Sequence, residues 1–179
     1  MTSANPLPLK RRFKQSGIRL LARILPLVYL AYMGLVVATS RVHRKDFDRL
    51  LSKSTDGEDT AVAVLHQDVF MAPFFFRHQG VMSLTSIGDA GSIATGLANT
   101  LGIVVKRGGS SSRASRRVPA LTPLIDHGLE RKGTGLMTVL TVDGSRGPAG
   151  ACKAGIVRYA QAMGAEIYCV RVHARRAWH

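Results

Sequence analysis

From Ala61 onward, the chain alternates short runs of β-branched and aliphatic residues with longer segments of helical character. Strands that alternate with helices are joined by right-handed crossovers, which build a parallel sheet covered on both sides. The sequence therefore predicts an α/β fold with a mainly parallel sheet and helices on both faces. The predicted strands are 61–65, 81–86, 103–107, 136–142 and 166–172, and the predicted helices are 69–79, 92–101, 120–131 and 153–163.

An apolar segment, residues 24–39, precedes this alternation and lies between two basic stretches. At about 1.5 Å per residue, a helix over this segment is about 24 Å long, less than the ~30 Å hydrocarbon core of a bilayer. Beginning the helix at Ile18 lengthens it and includes arginines whose long side chains can reach the headgroups. We therefore expect a membrane-associated helix that either spans the bilayer or lies in its interface. The basic residues on either side are Lys10, Arg11, Arg12, Lys14, Arg19, Arg23, Arg41, Arg44 and Lys45.

Two other interpretations of the apolar segment are open. A cleaved signal peptide has the same order of basic and apolar residues, although this apolar run is long and continues directly into basic sequence. A buried amphipathic helix is the second, although such helices rarely have so unbroken an apolar face. We divide the chain into a membrane-associated helix over residues 1–45 and an α/β domain over residues 46–179. The chain ends just beyond the last predicted strand, which favours a natural protein that extends further.

The charge of the chain indicates an anionic partner. The formal net charge is +14 and the pI is near 10.9, which suits either lipid headgroups or nucleic acid. The basic residues lack the interleaved exposed aromatics typical of nucleic-acid binding, so we expect membrane lipid and no nucleic acid. Two cysteines without metal-ligand spacing, Cys152 and Cys169, indicate reduced thiols in a cytosol-facing protein.

Polar clusters follow three of the predicted strands, where the working residues of such sheets lie. His66 follows the first strand, and a histidine titrates near neutral pH, so it can accept a proton from an alcohol. A loop at 106–113 follows the third strand; its Gly and Ser residues let main-chain N–H groups approach an oxyanion, and its arginines bind phosphate. The turn at 143–148 (DGSRGP) follows the fourth strand and combines a carboxylate with an arginine.

Several other enzyme classes lack their motifs here. There is no G-x-S-x-G segment of a serine hydrolase and no GxxxxGK[ST] loop of a nucleotide-binding enzyme. The other histidines form no cluster with ligand spacing, so we expect no metal. The Phe run at 74–76 is expected in the core, or else in the wall of an acyl-chain site.

The order of these clusters resembles that of the lysophospholipid-acyltransferase superfamily, and most closely its bacterial lysophospholipid-acyltransferase-like branch. That branch has a strand-end His, a Ser-x-x-Asp-Gly-like segment, an Arg-Gly-Ser-Ser loop and an Asp-Gly-Pro-Arg-Gly-Pro turn. The resemblance covers the chain from about Ile18. The matching segments here are His66, 86–89 (SIGD), 107–110 (RGGS), 143–148 (DGSRGP), 153–155 (KAG) and 160–161 (AQ).

The resemblance implies O-acyl transfer from acyl-CoA or acyl-carrier protein to a hydroxyl of a lysophospholipid or related lipid, at the cytoplasmic face of the inner membrane. These co-substrates carry the acyl group, and no further cofactor is implied. His66 would deprotonate the acceptor hydroxyl. The implied substrate-binding residues are two phosphate-binding arginines with loop and turn residues whose N–H groups contact the reacting groups: Arg107, Gly108, Ser110, Gly144, Ser145 and Arg146.

One departure from the superfamily pattern concerns the partner of His66. The superfamily has an Asp five positions after its His, where it orients the imidazole, and here that position is Met71. Asp143 is the first candidate to replace it, because a strand-end turn can direct its carboxylate at the ring, and Asp68 is the second. We also expect Arg107 and Arg146 to lie at neighbouring strand ends and to share one phosphate. Without an effective base, the chain would be a non-catalytic, membrane-attached protein that binds anionic lipid.

Overall fold

The computed structural model describes residues 9–108, 121–143 and 148–173, with side chains from residue 24 onward. Its centre is a five-stranded sheet, all parallel, in the order β3-β2-β4-β1-β5. The predicted α/β class and parallel sheet are confirmed, and each strand lies within two residues of its predicted bounds. The strands are β1 (Thr60–Val64), β2 (Met82–Thr85), β3 (Val104–Arg107), β4 (Met137–Thr141) and β5 (Glu166–Val170).

Six helices and one 3-10 turn complete the described fold. The turn, His66–Asp68, directly follows β1 and is called the His66 turn below. The helices are α1 (Leu9–Thr39), α2 (Lys45–Thr55), α3 (Ala72–Phe75), α4 (Asp89–Thr100), α5 (Leu121–Glu130) and α6 (Gly155–Met163).

Both faces of the sheet are covered, because alternate residues of each strand point to opposite sides. Val62 and Val64 belong to a first core cluster with residues of α1, α2 and α3, against which α4 residues also pack. Ala61 and Ala63 belong to a second cluster with residues of α5 and α6. Within the second cluster, the buried hydroxyls of Thr138 and Tyr159 satisfy each other across 2.7 Å, which removes the cost of burying either alone.

One predicted helix is wrong. Residues 69–79 do not form a continuous helix; the His66 turn leads instead into the four-residue α3. Pro73 lies in the first turn of α3, where its missing N–H is tolerated. In the interior of a longer helix that began at residue 69, the same proline would remove a hydrogen bond and clash with the preceding turn. Beyond α3, His78 has φ of 57° and Gly80 has φ of 66°, both in the left-handed region, and this turns the chain into β2.

The apolar segment forms the second half of α1 and is buried on one side only. Tyr29 and Met33 are 5% and 0% exposed and pack in the first core cluster. The other side of this half of α1 is exposed. Among the described residues, no helix has the length and hydrophobicity needed to cross a bilayer. The exposed apolar face of α1 consists of Ile24, Leu25, Leu27, Val28, Tyr32 and Leu35.

Candidate functional site

The carboxyl ends of β1 and β4 bring His66 and Asp143 together. The two strands pair in parallel, with Val64 opposite Thr141. His66 and Asp143 each follow their strand by two residues, so they meet at the same edge of the sheet. The main-chain N–H of His66 donates to Oδ1 of Asp143 at 2.8 Å. The other carboxylate oxygen accepts from the N–H of Gly150 at 3.2 Å.

Asp143 is a buried carboxylate that stays ionised. It is only 3% exposed. Burial alone would raise its pKa, but hydrogen bonds from the N–H groups of His66 and Gly150, together with the nearby imidazole of His66, lower the pKa below its ordinary 3.8. At neutral pH the edge of the sheet therefore carries a fixed negative charge next to His66.

The carboxylate holds the main chain of His66, whereas the sequence analysis expected a bond to the ring. The His66 side chain is exposed, and its ring has no hydrogen bond to any residue that the structure describes. Asp143 therefore acts on the imidazole through its charge and through the position of the turn. This is a weaker constraint on the ring tautomer than a direct N–H to carboxylate bond.

The second candidate partner, Asp68, is bound elsewhere. Asp68 is 6% exposed, and its Oδ2 accepts from Nε of Arg171 at 2.8 Å. Its carboxylate is thus paired with the residue that follows β5. Met71, at the position of the superfamily's Asp, is partly buried against the first core cluster. An apolar side chain suits that environment, where an unpaired carboxylate would be unfavourable.

An apolar cleft opens beside the His66 turn on the first face of the sheet. Its volume is about 80 Å³. Two of its lining residues, Val64 and Val69, stand immediately before and after the segment that carries His66. Phe76, from the Phe run, also lines it, and both Phe76 and Phe74 are buried in the first core cluster. The lining residues are Val64, Val69, Ala72, Pro73, Phe76, Val81, Ser83, Ile103, Val139 and Thr141.

Arg107 lies at the same edge of the sheet but on the outer strand β3. Its Nη2 donates to the Ser86 carbonyl at 3.3 Å, to the Gly88 carbonyl at 3.2 Å and to Ser92 Oγ at 3.0 Å. The expectation that β3 and β4 are neighbours is wrong, because β2 lies between them. Arg107 is three strand spacings from β1, roughly 14 Å across the sheet.

The structure describes one of the five remaining predicted site residues. Gly108 is buried, and its N–H donates to the Thr85 carbonyl at 2.9 Å, so that amide extends the β2–β3 pairing. Ser110, Gly144, Ser145 and Arg146 lie outside the described residues.

Two contributors to this edge could not be predicted from the sequence. Arg171 lies in the fifth predicted strand, and nothing near it in the sequence indicates its bond to Asp68. Gly150, whose N–H supports Asp143, lies seven residues beyond its acceptor; a Gly-rich stretch after a strand-end acid was the only available signal. In the described part of the chain, no three His, Cys, Asp or Glu side chains gather as metal ligands.

No protein-family model matches the chain, and no curated protein does.

Proposed function

We propose that this protein is an acyltransferase that moves a fatty acyl group from acyl-CoA or acyl-carrier protein to a hydroxyl of a lysophospholipid or related lipid. One observation carries the proposal. An exposed histidine, held by a buried ionised carboxylate, stands beside an apolar cleft at the carboxyl edge of a parallel sheet. A base next to an apolar cleft suits an acceptor hydroxyl and an acyl chain that must meet away from bulk water.

In the proposed reaction, His66 accepts the proton of the acceptor hydroxyl as the hydroxyl oxygen attacks the thioester carbonyl carbon. The tetrahedral intermediate collapses by breaking the carbon–sulfur bond, and the leaving thiolate takes the proton back from His66. The imidazolium that forms in between lies near the negative charge of Asp143, which stabilises it. The products are the acylated lipid and the free thiol of the carrier.

The apolar cleft is the proposed place of the acyl chain. Each methylene that enters such a cleft contributes about 0.8 kcal/mol. Val69 and Val139, both among its lining residues, offer the chain an aliphatic surface. Ser83 adds little polarity, because its hydroxyl already donates to the Val139 carbonyl at 2.8 Å.

Arg107 and Arg146 are the proposed cations for the acceptor phosphate. Among the described residues, the bonds of Arg107 use Nη2 alone, and a guanidinium has five N–H donors. Replacing Arg107 with Ala is expected to raise the KM for the acceptor more than it lowers kcat, because the arginine binds ground state and transition state alike. An equal loss in kcat would instead assign Arg107 to the transition state.

We place this activity at the cytoplasmic face of the inner membrane. The exposed apolar face of α1 supports membrane contact. The exposed cations Arg41, Arg44 and Lys45 follow α1 directly and would attract anionic headgroups. Phe70, 56% exposed, packs edge-on against Tyr32 of α1 with 6.0 Å between ring centres. The apolar face therefore continues from α1 to within four residues of His66.

A second candidate is a non-catalytic, membrane-attached protein that binds anionic lipid. Two observations favour it: the His66 ring lacks a hydrogen-bonded partner among the described residues, and Met71 stands where the superfamily has an acid.

Transfer of a radiolabelled acyl group from the thioester to a panel of lysolipids in vesicles separates the two candidates. His66→Ala is expected to lower kcat by roughly a hundred- to ten-thousandfold and to leave vesicle binding intact. The matched control is His127→Ala, since His127 lies on α5 at the other face of the sheet. Residual transfer near the parental rate in His66→Ala would refute His66 as the base. Vesicle binding without any transfer by the parent would favour the lipid-binding protein.

A further inference from the structure

The His66 turn is attached to both strands that neighbour β1. On one side, Asp143 at the end of β4 accepts the N–H of His66 at 2.8 Å. On the other side, Arg171 at the end of β5 binds the carboxylate of Asp68 at 2.8 Å. Val64, at the end of β1, pairs with Thr141 of β4 and with Val170 of β5. Asp143 and Arg171 thus stand on opposite sides of the turn.

The turn has few bonds of its own to fix its direction. The N–H of Asp68 donates to the Leu65 carbonyl at 2.9 Å, and the N–H of Val69 donates to the His66 carbonyl at 3.3 Å. Three residues of 3-10 helix have poor hydrogen-bond geometry and little intrinsic stability. The contacts to β4 and β5 therefore help to fix the main-chain position of His66.

The bond between Arg171 and Asp68 is the stronger of the two lateral contacts in chemical type, since both partners are charged. Asp68 is nearly fully buried, while the Arg171 side chain is 35% exposed. Without the guanidinium, a buried carboxylate would have no compensation. Loss of this bond would also release the turn from β5, and His66, two residues before Asp68, would shift with it.

We propose that Arg171 is a positioning residue for the base, which it holds at the reacting atoms through Asp68 without touching substrate. This inference rests on the proposed acyl transfer. Its kinetic signature is a loss in kcat with little change in the KM for the acceptor, because Arg107, the proposed phosphate-binding residue, lies on β3 and is not bonded to the turn. A misplacement of about 1 Å can cost roughly a hundredfold in rate.

The first test compares Arg171→Leu, Arg171→Lys and Arg49→Leu in the acyl-transfer assay. Arg171→Leu is expected to lower kcat by roughly ten- to a hundredfold at nearly constant KM for the acceptor, and Arg171→Lys to recover part of it. Arg49→Leu is the matched control, since it breaks an exposed Arg–Asp pair with Asp46 on α2. Parental kcat in Arg171→Leu, or a change confined to KM, would overturn the proposal.

Two further measurements keep the proposal testable if Arg171→Leu folds poorly or if the parent shows no transfer. The double variant Asp68→Asn/Arg171→Leu leaves no unpaired buried charge, and parental kcat in that variant would also overturn it. Amide hydrogen exchange reports the turn without any assay of activity. Faster exchange confined to residues 66–69 in Arg171→Leu, absent in Arg49→Leu, supports the positioning role, and unchanged exchange contradicts it.

Discussion

At the scale of single residues, Asp143 illustrates how a strand-end acid can act on the main chain of its neighbour. Its two oxygens accept the N–H groups of His66 and Gly150, which join the ends of β1 and β4 to the segment that follows β4. The carboxylate thus contributes to stability as well as to the charge near His66. These two contributions can be separated by pH.

Asp143→Asn is expected to reduce stability at neutral pH and to make the protein less sensitive to acid. The pKa of Asp143 is lowered in the folded state, so the unfolded chain binds its proton more tightly. The stabilisation is complete above about pH 5, begins to fall as the pH approaches 3.8, and is lost once the pH is below the folded-state pKa. Urea unfolding of parent and variant between neutral pH and acid measures this difference.

The difference in unfolding free energy between parent and Asp143→Asn should shrink as the pH falls. Glu130→Gln is the control, because Glu130 is exposed on α5. A parent–variant difference that stays constant through the acid range would show that the charge of Asp143 does not stabilise the fold.

At the scale of elements, α4 depends on a glycine that lets the preceding loop approach closely. Arg107 binds the carbonyl of Ser86 from one side. A Cβ on Gly91 would overlap that same carbonyl oxygen. The main chain between β2 and α4 is therefore confined between an arginine of β3 and the first turn of α4.

The same substitution should have opposite effects at two helical glycines. Gly91→Ala is expected to destabilise the protein by about 1–3 kcal/mol, because the carbonyl of Ser86 belongs to the main chain and cannot move cheaply. Gly34→Ala in α1 meets nothing within 4 Å and is expected to stabilise by about 0.5–1 kcal/mol through helix propensity. Thermal and urea unfolding of both variants measure the two signs. Stabilisation of Gly91→Ala would contradict the close approach.

The strands were the part of the fold that could be predicted, because short β-branched runs bounded by polar residues have few other structures available. Their order could not, since nothing in β3 shows that β2 separates it from β4. The prediction of a helix at 69–79 was wrong because an aromatic run can show helical periodicity even where the chain must turn. Here Pro73 and the left-handed His78 require that turn.

The candidate site could also be predicted only in part, because some of its contacts join residues that are far apart in the sequence. Two strand-end residues, His66 and Asp143, were expected near each other from the parallel topology, and they are. The atom of His66 that Asp143 contacts depends on packing that the sequence does not report. The partner of Asp68 lies 103 residues away, and local reasoning cannot reach across such a separation.

At the scale of the whole molecule, the apolar face of α1 and the basic charge predict how the protein meets a bilayer. Leu27 and Leu35 are 66% and 65% exposed. The variant Leu27→Ser/Leu35→Ser is expected to bind vesicles of phosphatidylglycerol and phosphatidylcholine at least roughly tenfold more weakly, since each leucine contributes up to about 1.5–3 kcal/mol when buried. Sedimentation with vesicles measures the partition.

The control for this experiment is Ile167→Ser, which removes an exposed aliphatic side chain from β5. Ile167 pairs with Ala61 and so points to the second face of the sheet, away from α1. Raising the ionic strength should weaken binding of the parent, because the attraction between basic residues and anionic headgroups is screened. Equal vesicle binding by the parent and the double variant would exclude this face as the membrane contact.

The position of β1 in the sheet has a consequence for biosynthesis. Thr60 pairs with Met137 on one side and with Glu166 on the other, and both partners are translated long after it. A nascent chain leaving the ribosome must therefore carry β1, an apolar strand, without either neighbour until nearly all of the sheet has been made. Such late, non-local pairing slows folding and exposes the chain to aggregation. The pace of translation through the second half of the message, and the chaperones that meet it, should thus affect how much folded protein a cell obtains.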